Sequence, residues 1–243
     1  MIKEAIEKIQ ELATPVIHRE EGRTFAVSAT SVRELIPTRE EPQTITLSSL
    51  DSLVQMVKNE ALCIYENPLF ITVPTHETVT CFARPAPDLG WDRLTYYIAQ
   101  ATDVPGWAAK MVMPFEEALI ALRTRFQATP DTDYALKLLS EITTGAKVTF
   151  NDNGIATSVV TKKGIDLQSN QAIRPIISLR PYRTFQEVEQ PASQFLIRIN
   201  ERGISFIEAD GGMWKLEARK IVAKFLEDQL RPEIENGEVV VAL

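Results

Sequence analysis

Hydrophobic residues near the start recur at Ile2, Ala5, Ile6, Ile9 and Leu12, the spacing that puts an apolar stripe on one side of a helix. Residues 2–13 are therefore predicted to form a short amphipathic helix, which Pro15 ends. Alternation then takes over. "VIHRE" and "RTFAVSA" flank Glu21-Gly22 and predict a hairpin, and "TITLSS" predicts a further strand. In "LDSLVQMVKNEA", Leu50, Leu53, Val54 and Val57 share a helical face, with Ser49 or Asp51 placed to cap the first turn. "LCIYENPLFITVPTHETVTCFARP" is rich in β-branched and aromatic residues and is broken at Asn67-Pro68 and around Thr75-His76-Glu77, so it reads as two or three antiparallel strands. After a turn marked by Pro85, Pro87 and Gly90, "WDRLTYYIAQA" reads as a short helix.

The middle of the chain is helical by the same criteria. "MPFEEALIALRTRF" carries Pro114 close to its first turn and Glu116 and Glu117 just behind, all suited to a helix N-terminus. "DYALKLLSEI" is a second helix, capped by Asp131 or Thr132 and exhausted at Gly145. From Gly145 the period changes to two. "AKVTF" and "IATSVVTKK" are joined by Asn151-Asp152-Asn153-Gly154, a strong hairpin signal. "AIRPIISL", "QFLIRIN" and "GISFIEA" are further strands, the last two meeting at Glu201-Arg202-Gly203. An amphipathic helix over Trp214–Leu230 and a strand in "EVVVAL" complete the chain. Parallel βαβ alternation is absent. The fold class is α+β, mainly antiparallel sheet built from hairpins and rich in exposed edges, with helices clustered mid-chain and near the C-terminus. Residues 1–243 read as one globular unit. The best subdomain boundary lies near residue 145, with mixed α+β in 1–145 and hairpins plus a closing helix in 146–243.

Composition narrows the class. At 243 residues, 44% hydrophobic and 24% charged, the chain has the make-up of a soluble globular protein with a full core. No apolar run approaches the roughly 20 residues that cross a bilayer. The start, "MIKEAIEKIQELA", is mixed in charge and unlike a secretory signal. A net charge of −7 argues against direct binding of duplex DNA, which asks for a basic surface. Cys63 and Cys81 fall in apolar, strand-like runs and read as core thiols in a reducing compartment.

Catalytic signatures are missing. His18 sits among charged strand residues as on a solvated edge, and His76 lies at a turn in "PTHET", where exposure without function competes with a ligand-binding role. No pair of ligands has zinc spacing, no Gly-rich phosphate loop or nucleophile elbow occurs, and no carboxylate pair is spaced for acid–base work. "ADGGMW" sets Asp210 before two glycines, which a loop entering the last helix explains and which also lets a backbone approach phosphate. The one concentration of binding chemistry is Lys162, Lys163, Arg174, Arg180 and Arg183, with Tyr182 and Phe185 among them in "ISLRPYRTFQEV". Arginine forks fit phosphate or carboxylate, and an aromatic ring stacks a base. The competing explanation is a sheet rim whose arginines pair with Glu187 and Glu189. Arg198, the polar outward position of "FLIRI", suits a strand with one wet face.

Four passages resemble an uncharacterised domain family of tailed phages and prophages, of the enterobacterial prophage-island type. They are "LIPTREEPQTITLSSLDSLVQMVKN", then "PLFITVPTHE" with "VTCFARP" and the downstream Trp91, then "LLSEITTGAKVTFNDNGIATSVVTKKG", and finally "IRPIISLRPYRTF" with "SQFLIRINERGISFIEADG" and "IVAKFLEDQL". The resemblance implies expression in the cytoplasm of a bacterial host, no structural disulfide, and an early or accessory role near recombination and single-strand handling. Among its recurrent positions, His76 and Trp91 match here, neither with an assigned role. The expectation is a soluble, homo-oligomeric, non-enzymatic accessory protein without a cofactor. It would modulate host or phage nucleic-acid metabolism, or host defence, through a host or phage protein or a nucleotide. The alternatives are a metal-dependent phosphodiesterase or nuclease-like hydrolase, using Asp210 with the arginines at 174–183 on phosphate, and a virion assembly component.

Overall fold

The structure, a computed structural model, describes residues 3–4, 8, 16–20, 23–28, 31–35, 42–64, 68–85, 92–107, 112–144, 147–152, 157–163, 167–200 and 202–243. Within 60–64, 143–144, 147–152, 157–163 and 167–172 the backbone alone is described. Most of the helix expected over 2–13 lies outside these residues, as does Trp91.

In chain order the strands and helices are β1 (Val16–Glu20), β2 (Arg23–Val27), β3 (Val32–Glu34), β4 (Ile45–Leu47), α1 (Leu50–Ile64), β5 (Leu69–Thr75), β6 (Thr78–Phe82) and β7 (Thr95–Gln100). There follow α2 (Phe115–Arg125), α3 (Pro130–Thr144), β8 (Lys147–Asp152), β9 (Thr157–Lys163), β10 (Leu167–Ala172), β11 (Ile176–Leu179), β12 (Ser193–Asn200) and β13 (Gly203–Glu208). The chain closes with α4 (Trp214–Gln229), α5 (Arg231–Glu235) and β14 (Val239–Ala242). The described strands form three three-stranded sheets, β1-β2-β3, β10-β9-β8 and β11-β12-β13, and a five-stranded sheet ordered β14-β5-β6-β7-β4. The class is α+β, rich in antiparallel pairs. The β12–β13 hairpin falls where its turn residues put it, closing with Asn200 opposite Gly203, whereas β8 runs on through Asn151 and Asp152, two of the residues expected to turn.

Several elements depart from the sequence pattern. "TYYIAQ" is strand β7 instead of a helix, because its β-branched and aromatic residues serve a position between β6 and β4 where Tyr96, Tyr97 and Ala99 are buried. The two outer strands of the five-stranded sheet join in parallel, β14 on β5 and β4 on β7. α1 continues to Ile64, so Cys63 is helical and lies in no strand. α3 is capped by Thr129, whose Oγ1 accepts from the Thr132 amide at 3.1 Å, in place of Asp131 or Thr132. β3 and β10 carry too few apolar residues to announce themselves.

Two apolar cores result. In the first, Leu50, Leu53, Val54 and Val57 of α1 pack with Ile71, Val73, Val79, Cys81 and Tyr97 of the five-stranded sheet and with Val222 and Leu226 of α4. In the second, Ala118 and Leu122 of α2 and Leu138 and Leu139 of α3 cover Ile177, Leu179, Phe195, Ile197 and Phe206 of the β11-β12-β13 sheet. The second core draws on residues from both sides of position 145 and is inserted between β7 and α4. Burial pushes the Cys81 thiol up to about 12, as for an inert core cysteine. Among the described residues no helix is long and apolar enough to cross a membrane.

Candidate functional site

The stretch that stood out in the sequence leaves the second core and enters the first. After β11, Pro181 bridges to Phe126, the Gln127 amide donates to the Arg180 carbonyl at 2.8 Å and the Tyr182 amide donates to the Arg125 carbonyl at 2.9 Å. Phe185 and Val188 then insert into the first core. Gln190, fully buried, braces the loop from inside. Its Oε1 accepts from the amides of Arg183 and Thr184, at 2.9 and 3.3 Å, and its Nε2 donates to the carbonyls of Phe185 and Val188, at 2.9 and 3.2 Å. All four hydrogen-bonding valences of the amide are used, as burial of such a group requires. Glu187 Oε1 accepts from the Leu50 amide at 2.8 Å, supplying the N-terminus of α1 with a carboxylate from a remote part of the chain.

The arginines meet different partners. Arg174, just before β11, packs against the first turn of α3, its guanidinium 3.9 Å from the Tyr134 ring centroid and its Nη1 2.9 Å from Asp131 Oδ1. Arg180 pairs with Glu189 and donates to the Gln190 carbonyl. Arg183, only 9% exposed, donates to Glu208 and to Ser193 Oγ, and stacks over Trp214 at 4.4 Å and Phe195 at 5.4 Å. Burial pulls its guanidinium below the ordinary arginine value, and Glu208 opposes that pull. Tyr182 is half-buried. Lys162 and Lys163 lie on β9, in a sheet separate from β11, and their side chains fall outside the described residues.

His76 and Arg183 are the sequence-selected residues that come together, and Trp214 joins them. The imidazole meets the indole edge-on at 4.7 Å, and the main-chain carbonyl of His76 accepts from Thr184 Oγ1. Desolvation lowers the His76 pKa below 6.5, assisted by Lys215 and Arg183, while Glu77, 3.6 Å from Nε2, acts in the opposite sense. Beside Trp214 opens a cleft of about 410 Å³, whose walls include Ser178, Gln194, Asp210, Met213 and Lys220. Asp210 Oδ1 accepts from the Gly212 amide at 3.0 Å across a turn in which Gly211 and Gly212 both have positive φ, and Oδ2 is buried without a hydrogen-bond partner.

Sequence reasoning missed Trp214, Glu208 and Asp131 as members of this network. Each lies far along the chain from the arginine it serves, and a lone tryptophan at a helix start carries no pattern of its own. The rim explanation is half realised: Glu189 pairs with Arg180, whereas Glu187 goes to α1. Each of Arg174, Arg180 and Arg183 is held against a carboxylate of its own chain. Among the described residues no three His, Cys, Asp or Glu side chains gather closely enough to hold a metal ion. The fold and this network define an α+β protein with two cores joined by a polar, internally satisfied loop. No family model matches the chain, and neither do curated proteins or solved structures.

Proposed function

We propose that this chain is a non-enzymatic accessory protein that acts by binding a protein partner. The setting is the one the phage and prophage resemblance implies, modulation of host or phage nucleic-acid metabolism or of host defence. One observation carries the reading. The arginines that would read a phosphate are engaged internally, Arg174 by Asp131, Arg180 by Glu189 and Arg183 by Glu208, which leaves these forks structural work and favours a protein over a nucleotide as partner. The net charge of −7 agrees, because an acidic protein is attracted to basic surfaces on other proteins.

The test is affinity purification with cross-linking from phage-infected cells, alongside incubation of the purified chain with nucleotides, single-stranded DNA and duplex DNA in the presence of Mg²⁺ or Mn²⁺. Reciprocal recovery of one polypeptide, with every nucleic acid left intact, is the expected result. Turnover of any of these substrates by the purified chain overturns it. A second reading, metal-assisted phosphodiester hydrolysis, is favoured by the unpaired Oδ2 of Asp210. It predicts that a divalent ion raises the thermal midpoint by several degrees and that Asp210→Asn removes the rise.

A further inference from the structure

β14 is an outer strand of the five-stranded sheet, paired on one side with β5 and, among the described residues, on the other side with nothing. The Leu69 amide donates to the Glu238 carbonyl at 2.8 Å, so Glu238 faces β5, and with alternation along the strand Val239 and Val241 turn their main-chain N–H and C=O outward. Such a row is a template for another strand. A groove of about 650 Å³ runs beside it, lined by the three valines of β14 and Ile234, with Glu227, Asp228 and Glu235 outnumbering Arg231 among its charged groups. Asp228 is engaged by Arg231 at 2.7 Å, whereas no ion pair holds Glu227 or Glu235 among the described residues.

The other face of the same edge has a different chemistry. Phe82 of β6 lies opposite Phe70 of β5, with ring centroids 6.0 Å apart, and Phe70 lies opposite Val240 of β14. This apolar row crosses three strands and stops at Val240, which is 41% exposed at the sheet's edge. Side chains of a strand laid along β14 alternate between these two faces. On one they meet the acidic groove. On the other they extend the row that ends at Val240, where a cross-strand apolar neighbour is favourable.

We infer that the free edge of β14 docks an extended segment of a partner protein that alternates Lys or Arg with Val or Ile and adds a further strand to the sheet. This deepens, and rests on, the reading of the chain as a protein binder. A second copy of the chain fits less well. Pairing two β14 edges antiparallel about a two-fold axis sets both helical layers on the same face of the joined sheet, so the acidic rims of the copies face each other. A basic segment neutralises the rim instead.

The probe is a blocked nine-residue peptide of alternating Val and Lys, compared with a version carrying Glu for Lys and with one N-methylated on alternate amides. Fluorescence anisotropy against the full chain is expected to show saturable binding of the Lys peptide, at least tenfold weaker for each control. Val241→Pro removes an outward N–H without taking a bond from the β5 ladder, and is expected to weaken binding by a similar factor with the thermal midpoint held. The double variant Glu227→Lys with Glu235→Lys is expected to reverse the preference toward the Glu peptide, which loss of folding would not produce. Equal binding of the Lys and Glu peptides overturns the inference, as does undiminished binding by Val241→Pro. Self-association that Val241→Pro abolishes also overturns it by giving the edge to a second copy. A partner recovered from cells and still bound by Val241→Pro ends this inference and leaves the binder reading standing, whereas nucleic-acid turnover ends the reading itself.

Discussion

Arg183 is the residue on which the junction between the cores turns. Its guanidinium is enclosed by Trp214, Phe195, Ser193 and Glu208, so Arg183→Ala leaves a carboxylate beside an unfilled space, and removing one member of a buried pair costs more than the pair's net worth. Arg183→Ala is expected to lower stability by about 3 kcal/mol in denaturant titration, with Arg180→Ala, whose ion pair lies nearer solvent, costing under about 1 kcal/mol. His76 gives a pH signature. Its folded-state pKa is depressed, so the unfolded chain takes up the proton first. Stability is therefore unaffected well above pH 6.5 and falls as pH drops through 6.5 toward the lower folded value. Thermal midpoints compared at pH 8 and pH 5.5 are expected to drop further for the native chain than for His76→Phe, which keeps a ring against Trp214. Both residues were visible in the sequence as candidates. Their neighbours were not, because an arginine among aromatics looks the same whether the rings it meets belong to its own chain or to a ligand.

At the scale of elements, amphipathic helices and hairpins were legible wherever one face is wet and the other dry. The buried face of α1 is Leu50, Leu53, Val54 and Val57, as the spacing demands, and Ser49 Oγ accepts from the Ser52 amide at 3.1 Å as its cap. β7 was not legible. A strand interior to a sheet has lost the alternation that distinguishes it from a helix. Gly203 shows how one position ties elements together. It opens β13 with φ +139°, and a Cβ there would overlap the carbonyl oxygen of Met113, which accepts from the Ile204 amide at 2.9 Å just before α2 begins. Gly203→Ala is expected to cost about 3 kcal/mol, combining backbone strain with loss of this bridge. Faster hydrogen exchange at the Ile204 amide would locate the damage.

For the whole molecule, the 180–192 loop couples two cores that each have their own helix-on-sheet layers. Gln190 holds that loop in shape. Gln190→Leu keeps the volume, leaves two amides and two carbonyls unpaired in a buried setting, and is expected to cost about 3 kcal/mol. Because the loop is the coupler, hydrogen exchange followed at amides of β6 and β12 is expected to show one shared opening free energy in the native chain and two different ones in Gln190→Leu. The sequence by itself determined the α+β class, most of the hairpins and the buried face of α1, since these rest on local periodicity and turn chemistry. Tertiary structure alone decided that β4 and β14 join in parallel, that the arginines face carboxylates of their own chain, and that among the described residues no strand pairs with the outer edge of β14. Those outcomes depend on which remote segments meet, and contact between remote segments leaves no period in the chain.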